Sequence, residues 1–318
     1  MSVSAAVCQA LWLTPEYRDY VWGGSRLRPG HVLTAEAWVI YEGDRIASGP
    51  LAGRTLGEAA AEYGEALLGR RAVQRTGTRF PVLIKLLDCA QWLSLQVHPN
   101  DEQAVRLGGP GQFGKTEAWH LLEAEPGAEI LCGLRPGTTR AVLERAVRRG
   151  TILDWMQRLT IQAGDTIFLK PGLIHALGPG VLVYEVQQTS DITYRVFDWN
   201  RPATQGRQLH IEQALAVADV SAAGQIIPSP PLADGDLREL VACPYFALQL
   251  LAGQTNSITL DTGGESFHAL TLVEGKVHVE GPGWRRELNR FETVVIPAAC
   301  GSYQVQPRGS FRALKASV

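Results

Sequence analysis

Short apolar runs punctuated by glycine and proline dominate the chain. They predict strands over Ala37 to Tyr41, Pro81 to Leu87, Trp92 to Val97, Thr166 to Leu169 and Val181 to Gln187. Further strands are predicted over Tyr245 to Leu251, His268 to Val273, Lys276 to Val279 and Thr293 to Ile296. Alternation across Val183 to Gln187 puts Glu185 on the face of Val183 and Gln187. Helical spacing is rarer. Thr55-Leu-Gly-Glu58 has the form of a capping box opening a helix that runs to Leu68. Thr139 to Arg149 sets Val142, Leu143, Ala146 and Val147 on one side, and Ile211 to Val217 is a third helix. The pattern predicts a mainly β protein with a few helices inserted in its N-terminal part.

A polar stretch from Gly224 to Asp236, containing Pro228, Pro230 and Pro231, interrupts this pattern. At 318 residues the chain is long enough for two domains. We therefore expect a larger catalytic domain over 1–223, a linker over 224–236 and a smaller β-barrel over 237–318.

Composition narrows the function classes. Apolar residues make up 45% and charged residues 19%, which suits a folded core. Thirty basic against 32 acidic residues give a formal charge of -2, so neither nucleic acid nor a membrane is an expected partner. No run reaches the roughly 18 apolar residues of a membrane span. The apolar stretch from Ala5 to Leu13 lacks the basic flank of a secretory signal. Five cysteines, odd in number and without a CxxC pair, read as the reduced set of a cytoplasmic protein. Neither a G-x-S-x-G elbow nor a P-loop is present.

Three places combine metal-ligand residue types. Gln96 and His98, two apart at the end of a strand, share a face, as do Lys115 and Glu117. The third place leads from Gly164-Asp165 to Pro171-Gly-Leu-Ile-His175. Two imidazoles, a carboxylate and an amide oxygen suit a borderline ion such as Zn²⁺. Taken singly, each has a plainer reading as a strand corner or a satisfied core histidine.

Their order resembles the paired motifs of the cupin barrel, and longer blocks narrow the likeness. Phe80-Pro-Val-Leu-Ile-Lys-Leu-Leu-Asp88, Leu93-Ser-Leu-Gln-Val-His-Pro-Asn100, Gly114-Lys-Thr-Glu-Ala-Trp119 and Tyr184-Glu-Val-Gln-Gln-Thr-Ser-Asp-Ile-Thr-Tyr-Arg-Val-Phe-Asp198 are similar to type I mannose-6-phosphate isomerases in their compact bacterial form. The resemblance begins near Trp22-Gly23-Gly24, is strongest from about 80 to 200 and weakens toward the end. It implies two cupin jelly-roll barrels, the second without metal, and one Zn²⁺ per chain. It implies an aldose–ketose isomerase that works on a small sugar phosphate by proton transfer through an enediolate, as a monomer or homodimer.

Carried over position by position, the metal ligands fall on Gln96, His98, Glu117 and His175, and the active-site arginine on Arg195. Lys115 and Glu185 join Arg195 as catalytic candidates, and Lys85, Ser94 and Asp191 as substrate-binding ones. The proton-transferring base stays open among Lys115, Glu185, Asp191 and a metal-bound water. Two departures stand out. Lys170 occupies the usual place of a proline before the turn to His175, and His120 stands where an aromatic residue is expected. We read His120 as facing outward. Two other readings compete: another metal-dependent cupin enzyme, or a non-catalytic sugar-phosphate sensor on the same scaffold. Gln96 in place of a third histidine disfavours an oxygen-activating iron, and the proton-transfer groups disfavour a pure binder.

Overall fold

The computed structural model describes residues 5–31, 33–202, 204, 207–229 and 231–318. Pro230, expected in the linker, lies outside the described residues. The chain folds as two compact units, one of residues 17–37 and 85–229, the other of the described residues in 1–16, 38–84 and 230–318. Each is a jelly-roll of two antiparallel sheets over an apolar core, so the expected mainly β, two-barrel architecture holds.

The larger sheet of the first unit runs Gln225–Pro228, Asp165–Leu169, Glu117–Ala124, Val181–Gln188, followed by Val82–Cys89, Glu36–Ile40 and Glu16–Arg18, of which residues 85–89, 36–37 and 17–18 belong to this unit. The smaller runs Tyr194–Phe197, Leu95–Val97, His175–Leu177, Glu129–Leu134, Met156–Thr160. Trp119, Leu121, Ile167 and Val183 of the first sheet share a core with Ile130, Cys132 and Leu177 of the second. The smaller sheet's other face packs on helices. Leu95, Val97, Leu131, Ala176 and Val196 meet Leu143, Ala146 and Val147 of helix Arg140–Arg149, and Leu215 and Val217 of helix Ile211–Val217. Strand alternation then leaves the residues between those positions, Gln96, His175 and Arg195, facing into the barrel.

In the second unit the larger sheet contains Asp236–Ala242, Ala247–Gly253, Phe311–Ser317, His268–Glu274, Thr293–Ile296, Leu11–Thr14 and Arg45–Ile46 in that order. Ile258–Asp261, Ser302–Pro307, Lys276–Gly281 and Trp284–Asn289 form the sheet facing it. The division is not the linear one expected from 1–223, 224–236 and 237–318. Leu11 and Trp12 pair with Val295 and Val294, so an N-terminal strand completes a sheet of C-terminal ones. Gln225–Pro228, inside the expected linker, is an edge strand on Asp165–Leu169. A proline-rich composition marks weak local propensity, and it carries no information about which distant strand is the partner.

The capping box forms as read: Thr55 Oγ1 accepts from Glu58 N, and Glu58 Oε2 from Thr55 N. The helix it opens ends at Tyr63, and Glu65–Leu68 follows as a separate turn because Gly64 sits at a φ of 47°. No helix among the described residues is long and apolar enough to cross a membrane.

Candidate active site

Neighbouring strands bring the predicted residues into line. His175 is the register partner of Gln96, and Gln96 of Arg195, so three side chains stand in one row on the inner face of the smaller sheet. On the larger sheet Glu117 pairs with Gln187, and Trp119 with Glu185. The turn into His175 is built on Gly172, at a φ of 85°, whose N–H donates to His98 O at 2.9 Å. Lys170 is exposed in that turn. It does not reach inward.

His98, Glu117 and His175 are buried, and each offers a ligand atom within 4.8 Å of the others. His98 Nδ1 lies 2.8 Å from Ile192 O and His175 Nδ1 lies 2.8 Å from Leu173 O. A carbonyl only accepts, so both Nδ1 atoms carry the hydrogen and both Nε2 atoms present lone pairs. Those lone pairs meet a carboxylate: His175 Nε2 is 3.0 Å from Glu117 Oε1, and His98 Nε2 is 3.6 Å from Glu117 Oε2. Neither Glu117 oxygen has a partner in hydrogen-bond geometry, although the residue is wholly buried. Acceptors gathered around a common point call for a cation. Two imidazoles and a carboxylate, with the Gln96 amide 3.5 Å from His175 Nε2, fit a borderline divalent ion.

Lys115 supplies positive charge at this cluster, with Nζ 3.0 Å from Glu117 Oε2 and 3.3 Å from His98 Nε2. Burial would raise the Glu117 carboxyl, but the charge of Lys115 opposes it, and the carboxyl is held well below the usual range. Burial and Lys115 push His98 well below the ordinary histidine value, so its ring is neutral.

A second group adjoins it. Glu185 Oε1 accepts from Trp119 Nε1 at 2.8 Å, and the Trp119 ring meets His175 edge-on with centroids 5.2 Å apart. Lys85 Nζ lies 3.5 Å from Glu185, 3.8 Å from Asp191 and 3.9 Å from Glu36. Burial lowers Lys85, yet these carboxylates leave it raised overall. Burial and Glu117 raise Glu185, against the opposing pull of Lys115 and Lys85. Asp191 has a side chain 67% exposed, so it stands at the outer edge.

Arg195 Nε donates to Ser94 Oγ at 3.0 Å, and Arg207 Nη2 donates to the same oxygen at 3.1 Å. Burial and Arg207 lower the Arg195 guanidinium to about 10. Arg207, over the Tyr20 ring at 5.5 Å, was not among the sequence candidates, nor were Glu36 and Trp119 as site residues. Glu36 opens a predicted strand and Trp119 ends a quoted block, but neither carries a local signal of its role. His120 is on the opposite face of its strand from Trp119, and it is buried, with Nδ1 2.9 Å from Thr166 Oγ1.

Residues 11–112 match the family model of the phosphomannose isomerase type I catalytic domain. The chain is 34% identical over 258 residues to a mannose-6-phosphate isomerase of Streptococcus mutans, covering 76% of this chain and 78% of the relative. It is 29% identical over 314 residues to the mannose-6-phosphate isomerase ManA of Bacillus subtilis, covering 94% and 96%. The crystal structure of the mannose 6-phosphate isomerase from Bacillus subtilis superimposes with a TM-score of 0.86 at 28% identity, over 97% of this chain and 99% of that one.

Proposed function

The chain belongs to the type I phosphomannose isomerase family, and from that premise we propose that it interconverts mannose 6-phosphate and fructose 6-phosphate with one zinc ion per chain. The observation that carries this reading is a buried cluster of acceptors that asks for a cation, beside a carboxylate suited to exchanging a proton. Gln96, His98, Glu117 and His175 would hold the ion. Bound there, zinc supplies Lewis-acid stabilisation of a substrate oxygen as it gains negative charge.

The isomerisation moves one proton between C1 and C2 and another between their oxygens, through an enediolate. We assign the carbon proton to Glu185. Burial and Glu117 raise its affinity for a proton, the direction a general base that returns its proton needs, and the Trp119 N–H fixes its Oε1, leaving Oε2 beside Lys85. Lys115 donates to the substrate oxygens near the metal ligands. Arg195 and Arg207, with Ser94 between them, offer two planar forks to anionic oxygens, the phosphate above all. Lys85 and Asp191 complete the sugar-binding edge.

The test is fructose 6-phosphate formation from mannose 6-phosphate as isolated, after chelation and after zinc is returned. Activity should vanish and come back. A folded, zinc-loaded protein that never forms the ketose would instead support a sugar-phosphate sensor.

A further inference from the structure

We propose that the interior of the second unit holds a separate binding site for a small anion that carries a hydroxyl group, built from Lys315, Gln249, His268 and Tyr303. Register fixes the direction of these side chains. Lys315 pairs with Gln249 on one side and Leu270 on the other. Leu270, with Leu251 and Ala313 one alternation along, lies in the core between the two sheets, so Lys315 and Gln249 face inward. His268, opposite Ile296, and Tyr303, opposite Leu260, come to the same core.

His268 Nδ1 is 2.9 Å from Tyr303 Oη, and its Nε2 is 3.4 Å from Lys315 Nζ. Lys315 is 7% exposed and has no carboxylate partner among the described residues. Burial, with no charge to oppose it, pulls its ammonium down to about 8. An ammonium has three N–H donors, and His268 engages one at long range. Gln249 Oε1 is buried without a hydrogen-bond partner, although its residue is paired directly with Lys315. A buried donor group and a buried acceptor therefore sit on adjacent strands, both facing inward and not bonded to one another. A ligand with an anionic oxygen for Lys315 and a hydroxyl hydrogen for Gln249 satisfies both. Hydroxycarboxylates and hydroxylated phosphate esters share that chemistry.

Calorimetric titration of the metal-loaded protein with glycolate, acetate and glycerol 3-phosphate tests the site. Glycolate should bind saturably, and acetate, without the hydroxyl, at least fivefold more weakly. Lys315→Met, which replaces a buried uncompensated charge with an apolar chain, should fold and lose at least tenfold in glycolate affinity. Gln249→Leu should erase the preference for glycolate over acetate. His98→Ala should leave glycolate binding intact, separating this site from the metal cluster. No saturable glycolate binding, binding unchanged in Lys315→Met, or binding lost in His98→Ala would each overturn the proposal. If glycerol 3-phosphate exceeds glycolate in a Lys315-dependent way, the natural anion is a phosphate ester; the reverse order makes it a carboxylate.

Discussion

Glu185 is held at one oxygen by Trp119 and flanked at the other by Lys85, so an amide of the same shape keeps the packing and removes the proton-accepting group. Glu185→Gln should lower kcat by about 10²–10⁴ while KM and zinc content stay close to wild type. Unchanged kcat, measured by steady-state kinetics beside metal analysis, would hand the proton to Lys115 or Asp191. The candidate metal cluster was legible in sequence only in part: the period of two set Gln96 beside His98 and Lys115 beside Glu117, and the family resemblance, not the spacing, joined them to His175. Arg207 was not legible, because an arginine twelve positions past Arg195 gains meaning only when the chain folds back to put both on Ser94. A second buried group also escaped the sequence reading. Asp44 is 3% exposed, and burial, followed at a distance by the charge of Glu16, raises its carboxyl to about 8. Between the unfolded value near 4 and the folded value, the folded state keeps a proton that the unfolded chain has lost. Stability from this group is therefore present at low pH and falls as pH rises toward 8, by up to about 1.4 kcal/mol per pH unit. Asp44→Asn should flatten that slope in denaturant unfolding between pH 5 and 8, and an unaltered slope would place its source elsewhere.

At the scale of elements, local signals were legible where chemistry and period coincide. Ile211–Val217 and Thr293–Ile296 fall where the apolar spacing put them. Helix Asp101–Gly108 went unread although Asn100 and Gln103 form a full capping box, since its buried face holds little beyond Ala104 and gives no apolar stripe. That helix matters to the site through the loop that returns to it. Gly114 N donates to Asp101 Oδ1 at 2.8 Å and Lys115 N to Pro99 O at 2.9 Å. A Cβ on Gly114 would stand 2.5 Å from Asn100 C and 2.6 Å from Asp101 N, and backbone cannot yield as a flexible side chain does. Gly114→Ala should displace Lys115 from its place between His98 and Glu117. We expect at least a tenfold loss in kcat/KM, with far-UV circular dichroism unchanged. Full activity in this variant would mean that the loop shifts without moving the ammonium.

For the whole molecule, short apolar runs were enough to read a larger β-rich part followed by a smaller β-barrel, because strand pattern is a local property, and the form of two jelly-roll barrels came with the family resemblance. Which strands share a sheet is not local, and so 1–223 was expected as one domain, although Leu11 and Trp12 pair with Val295 and Val294. The candidate metal cluster joins both scales, since its residues come from both sheets of one unit and its charge balance bears on that unit's stability. Without an ion, Lys115 is the cation nearest to Glu117, a carboxylate with no exposed surface. Removing one partner of such a pair leaves a buried charge uncompensated, at a cost of about 3–5 kcal/mol. An ion bound by the same carboxylate supplies that charge itself, and at a hundredfold excess over its Kd it adds about 2.7 kcal/mol to the native state. Lys115→Met should therefore destabilise the chelated protein much more than the zinc-loaded one. The gap in thermal midpoint between loaded and chelated forms should widen relative to wild type, while His175→Ala should abolish it. A gap that stays the same or narrows in Lys115→Met would show that Lys115 does not stand in for the metal charge, and that the acceptors around Glu117 are neutralised by another route.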